Sequence, residues 1–214
     1  MTVLARARAE VAASRLALPL LLGVGLAVLV AARWAAMIEA SAGGLAVGLA
    51  FGMGLVALAL TGGVRIQRPR SLRSSIAGGM VVGALLIALA LLGMAVAGRL
   101  SWAGPAAGPS VGPGAWVAAG FAPWAAITVL VATSEELLLR GALFDATERA
   151  VGAGVAVVAT SLVFALIHVP LYGWHVVPLD LGVGLLLGGL RLVTGGVSAP
   201  AAAHTIADLA TWWL

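Results

Sequence analysis

Three short clusters in this chain could do chemistry. Ser134-Glu135-Glu136-Leu-Leu-Leu-Arg140 closes an apolar run, Phe164-Ala-Leu-Ile-His168 lies in a second, and His204-Thr-Ile-Ala-Asp208 lies in a third. Ionisable groups inside apolar segments cost about 2.5–3.5 kcal/mol each on insertion scales, so they need a reason. Neighbours on a helix are about 100° apart, so Glu135 and Glu136 cannot face the same way. Glu136 precedes Arg140 by four residues, the favoured order of a helical ion pair, and Glu135 is left to point elsewhere. His204 and Asp208, also four apart, share one face. A buried glutamate beside a histidine can take a proton from water, and a second histidine with a short polar partner can stabilise an oxyanion. Those groups suffice to hydrolyse a peptide bond. Glu135, His168 and His204 could instead ligate zinc, although the helical signature H-E-x-x-H is absent. Nothing resembles G-x-S-x-G, so a serine hydrolase lacks its elbow.

The elements that must position these residues follow from composition. Of 214 residues, 62% are hydrophobic and 9% charged, with 12 basic and 8 acidic side chains. Average soluble domains carry about 25% charge. An ordinary soluble enzyme, a disordered chain and a nucleic-acid-binding domain are excluded. The expectation is an all-α, polytopic transmembrane helical bundle whose partners are the lipid bilayer and a membrane-bound peptide or protein, with no nucleic acid. There is no cysteine, hence no disulfide, thiolate metal site or cysteine nucleophile.

Seven apolar runs are candidate spans: 16–32, 43–64, 76–98, 116 to past 134, 151–169, 177–193 and 198–214. Arg6, Arg8 and Arg15 precede the first run as a signal peptide's basic region would. That run is about 17 residues long and no clean cleavage site follows, so it is expected to stay as a span. The link Arg65-Ile-Gln-Arg-Pro-Arg-Ser-Leu-Arg73 is expected on the cytoplasmic side. Alternation then puts the N-terminus inside, with Arg140, Arg149 and Arg191 also inward and only Arg33 and Arg99 outward. Trp34, Trp102, Trp116, Trp174, Trp212 and Trp213 fall at outer ends, as in an interfacial belt. The Pro/Gly-rich stretch 104–114 reads as an outer loop, and the frequent glycines as packing residues. His175 reads as interfacial and Asp180 as a helix-start charge; neither is expected in a site.

Helix counting brings the clusters to one level. The midpoint between Glu135 and His168 is near Val151-Gly-Ala-Gly154, a natural turn. In an antiparallel hairpin about it, both lie ~24 Å from the turn and can meet. If the last turns before it, with Arg140, Asp145, Glu148 and Arg149, protrude by roughly 10–15 Å, the pair lies ~10–14 Å below the inner surface. His204, about eight residues past the Thr194-Gly-Gly196 turn, reaches ~12 Å.

Read as E-E-x-x-x-R, F-x-x-x-H and H-x-x-x-N/D, in this order and at these separations, the clusters resemble the CPBP family. That family comprises CAAX prenyl endopeptidases and bacteriocin-processing enzymes and is also called the ABI family. Gly184-Leu-Leu-Leu-Gly-Gly-Leu-Arg191 and the approach from Thr194 to His204 resemble it too. The resemblance covers residues 116–214. It implies a catalytic helical core there, preceded by an N-terminal region, 1–115, of three spans and an outer loop. It further implies an intramembrane endopeptidase in a bacterial cytoplasmic membrane, with its site toward the cytoplasmic side and a substrate that is prenylated or leader-bearing. Glu135 with His168 would activate water, His204 and Asp208 would hold the oxyanion side, and Glu136, Arg140 and Phe164 would support them. The family is labelled metalloprotease, and a metal-independent glutamate mechanism is argued for it as well; zinc on Glu135, His168 and His204 enters only in the first case. The last motif more commonly ends in Asn. An ionised Asp only accepts hydrogen bonds, so Asp208 is either protonated by burial, or orients His204, or has a cation near it. Two other readings stand beside the protease: a non-catalytic membrane immunity or binding protein on the same scaffold, and a proton-coupled transporter. Complete motifs weigh against the first, and the lack of a two-fold repeat of broken helices against the second.

Overall fold

The computed structural model describes residues 3–39, 44–64, 71–99 and 120–214. The arginines at 65–70, the loop at 104–114, Trp102 and Trp116 lie outside them. Among the described residues all regular structure is helical, as lipid requires of a chain that must satisfy its backbone internally. The helices are α1 (Val3–Glu39), α2 (Gly44–Thr61), α3 (Leu72–Arg99), α4 (Phe121–Glu136), α5 (Phe144–Val151), α6 (Ala153–Tyr172), α7 (Val177–Thr194) and α8 (Ser198–Ala210). A π-helical stretch, Leu137–Leu143, joins α4 to α5 without a break. Taking α4 to α5 as one rod, the described chain forms a polytopic bundle of seven rods.

Among the described residues five segments are long and apolar enough to cross a membrane: Arg15–Ile38, Gly44–Thr61, Leu72–Gly93, Ala153–Tyr172 and Trp174–Thr194. The two rods that carry the acidic pair and His204 are the exceptions. α4 has 16 residues and runs on through the π turn, and α8 has only 13, about 20 Å, against a hydrocarbon core of roughly 30 Å. Both are packed inside the bundle by the longer helices. α8 lies against α3, α4 and α7, and α4 against α2. The core therefore joins both halves of the chain, with Leu22, Leu26, Phe51 and Leu55 meeting Leu138, Leu139, Leu143 and Phe164.

Small residues set the closest crossings. At Gly79 an added Cβ would strike the Ala199 carbonyl oxygen and come within 2.9 Å of Ala202 Cβ; at Gly83 it would come within 2.9 Å of the Ala203 carbonyl oxygen. Glycine at one face of α3 thus lets α8 seat at backbone contact. On the other side, Gly184 of α7 meets the Ser161 backbone of α6 in the same way. Gly79→Leu is expected to force α8 outward and to destabilise by about 1–3 kcal/mol, read as a lower thermal midpoint in detergent. Gly78→Leu, where an added Cβ meets nothing within 4 Å, is the control expected to leave that midpoint unchanged.

Candidate active site

The acidic pair sits where the helical pattern changes. Phe144 N–H reaches back five residues to the Leu139 carbonyl. The wider pattern opens the Arg140 carbonyl, within this stretch, to a donor from outside the helix. Arg191 of α7 fills it, donating Nε–H to Arg140 O at 2.9 Å, and its Nη2 donates to Asp145 Oδ1 at 2.9 Å. The Arg140 side chain is fully buried. It donates Nη1–H to Glu136 Oε1 at 2.8 Å and Nη2–H to Gly184 O at 3.1 Å, and it lies over the Phe164 ring at 4.7 Å.

Glu136 has a second duty: its Oε1 is 3.0 Å from His204 Nδ1. On the other edge of the same imidazole, His204 Nε2 lies 3.9 Å from Glu135 Oε2 and 3.4 Å from Asp208 Oδ2. The adjacent acids therefore do face apart along the helix, yet they border one ring from its two nitrogens. Phe164 packs edge-on to both histidines, 4.8 Å from His168 and 5.3 Å from His204. Glu135 is 4% exposed and accepts no hydrogen bond from the described residues.

His168 departs from the expected pairing. Among the described residues it makes no contact with Glu135 within 4 Å. Its Nδ1 bonds to the Phe164 carbonyl, one turn back on α6, at 2.8 Å, and lies 3.5 Å from Asp180 Oδ2 on α7. It remains within electrostatic reach of Asp208. The Asp208 side chain is 44% exposed within the bundle and faces His204, and Arg33 of α1 is a cation within its electrostatic reach.

Four expectations change. Asp180 is not merely a helix-start charge but the neighbour of His168. Arg33 is not merely an outward arginine: it stacks on Phe51 at 4.5 Å and reaches the site's field from outside the resembling segment. Arg140 and Asp145 are not exposed at a helix end; both are buried between helices. The depth changes with them. His168 is four residues from the end of α6 at Tyr172, about 6 Å, and about 22 Å from its start at Ala153. The site thus lies nearer the end that carries Trp174 and the Phe121–Trp124–Trp212–Trp213 aromatic cluster than the end that carries Arg149 and Arg191.

Zinc finds no ligand set here. Among the described residues no three His, Asp or Glu side chains are gathered so as to hold a metal ion. Glu135 and His168 stand apart, and Nδ1 of each histidine is engaged by Phe164 O or Glu136. What the arrangement can do without a metal is hold a free carboxylate, Glu135, beside an imidazole fixed by another carboxylate.

No curated protein and no solved structure matches the chain. A family model does match: residues 116–210 align with "Type II CAAX prenyl endopeptidase Rce1-like". That stretch runs from before α4 to the end of α8 and contains all three motifs, so the match agrees with the CPBP resemblance of those motifs.

Proposed function

We propose that this integral membrane protein is a glutamate-type intramembrane endopeptidase that cleaves a membrane-associated peptide or protein. The observation that carries the reading is the division of labour between the two acids. Glu136 is committed to Arg140 and His204, while Glu135 stays buried, without a hydrogen bond among the described residues, and 3.9 Å from His204 Nε2. A carboxylate so placed is a general base for water. Glu135, assisted by His168, takes the proton as water attacks the scissile carbonyl, and later returns it to the leaving amine. His204, bordered by Glu136 at Nδ1 and by Glu135 and Asp208 at Nε2, serves as an imidazolium, which donates from both nitrogens, so Nδ1–H is held by Glu136 and Nε2–H is offered to the oxyanion. The Rce1-like match and the CPBP resemblance add a prenylated or leader-bearing substrate to this reading. The arginines add a cytoplasmic N-terminus in a bacterial inner membrane.

The test is cleavage by purified protein in liposomes, with prenylated and unprenylated peptides followed by mass spectrometry. His204→Gln is expected to lower kcat by about 100-fold or more, and cleavage at the wild-type rate would remove His204 from the mechanism. Added chelator is expected to leave the rate unchanged, because the donor groups do not converge on a metal. Loss of activity restored by zinc would overturn the glutamate-type assignment.

A further inference from the structure

We propose that Asp180, which lies in none of the three motifs, is the positioning residue for His168. The proposal rests on the reading of His168 as part of a hydrolytic site. Gly173, at φ +88°, reverses the chain between α6 and α7. His168 lies five residues before that glycine and Asp180 seven after it, so the two are level across the hairpin. The contact follows: Asp180 Oδ2 is 3.5 Å from His168 Nδ1, the same atom that bonds to Phe164 O at 2.8 Å.

Two oxygen acceptors at one ring nitrogen make Nδ1 the protonated one. A neutral imidazole has one donor and one acceptor, so Nε2 keeps the lone pair, and it has no hydrogen-bond partner among the described residues. The Phe164 carbonyl alone would favour this tautomer, but it is a neutral dipole on the histidine's own helix. Asp180 comes from a second helix and carries a charge. It opposes rotation of the ring, and it stabilises the imidazolium formed when Nε2 accepts a proton. Packing supplies the other constraint: the ring lies edge-on to Phe164 and stacks on Tyr172 at 5.9 Å with 30° between planes. The His168 and Asp180 side chains are 17% and 20% exposed, so the pair is not a sealed structural tie.

The test uses the full chain in detergent micelles with 15N-labelled histidine. Its three histidines, 168, 175 and 204, are assigned with His175→Asn and His168→Gln variants. The 15N shifts of the neutral His168 ring are expected to show protonated Nδ1 in the wild type, a mixture of tautomers in Asp180→Asn, and restoration in Asp180→Glu. Turnover is expected to follow, with kcat lowered roughly tenfold to a hundredfold in Asp180→Asn at unchanged KM and mostly recovered in Asp180→Glu. An unchanged 15N pattern in Asp180→Asn, with wild-type kcat, would overturn the proposal. Full activity in His168→Gln would instead overturn the hydrolytic reading of His168, and the 15N comparison would still decide whether Asp180 sets its tautomer.

Discussion

Glu135→Gln is expected to leave the protein folded and to lower kcat for peptide cleavage by about 1,000-fold, within the range that a general base contributes. The two halves of that expectation have separate causes. The fold survives because Glu135 holds nothing: it has no hydrogen bond or arginine among the described residues, and its closest charged neighbour is His204 Nε2 at 3.9 Å. Gln has the same shape and does not leave an opposite charge stranded. Turnover fails because the amide has no basic oxygen to take the water's proton. The measurement is steady-state cleavage in liposomes beside a thermal melt of the same preparation. Wild-type kcat would assign the base elsewhere. A fallen melting temperature would make Glu135 a structural residue. Equal loss with Glu136→Gln but a lowered midpoint only there would confirm that the adjacent acids do different work.

Much of this was legible in the sequence, for a physical reason. In a chain with so few charges, each buried one must be explained by a partner or a reaction, so Glu135, Glu136, Arg140, His168, His204 and Asp208 stand out. Contacts along one helix could be counted, as for Glu136–Arg140 and His204–Asp208, both i to i+4. Contacts between rods needed phases that periodicity does not give. The sequence could level Glu135 with His168 but not show that α6 turns the histidine toward α7. Asp180 could have been found by the same counting, since it and His168 straddle Gly173; its place near a helix start suggested a sufficient local role. The π turn at Leu137–Leu143 left no mark in a run of leucines, so the buried Arg191–Asp145 pair that it makes useful was read as topology and helix end. Arg33 was hidden because Asp208, the site residue within its electrostatic reach, is 175 residues away.

Arg140→Met is the substitution expected to damage the fold most. It removes the 2.8 Å ion pair to Glu136, the 3.1 Å bond to Gly184 O and the stack on Phe164 at once. What remains is worse than the loss: a carboxylate with no solvent exposure, whose Oε2 already lacks a partner, left with His204 alone. Breaking a buried pair from one side costs about 3–5 kcal/mol. For a chain of this size that lowers the thermal midpoint by roughly 10 °C, with kcat falling as well. The double variant Glu136→Met/Arg140→Met separates the two effects. Replacing both members of a buried pair by apolar groups of similar volume is often neutral or stabilising, so the midpoint should recover. Activity should not, because His204 Nδ1 has lost the acceptor that fixes its ring. A double variant that regains both midpoint and turnover would show that Glu136 serves the fold alone. An Arg140→Met protein with wild-type midpoint would show that the network holds less of the bundle than its burial implies. Recovery of stability without turnover would establish that the ion pair anchors the fold and that Glu136 also sets the histidine on which the oxyanion side depends.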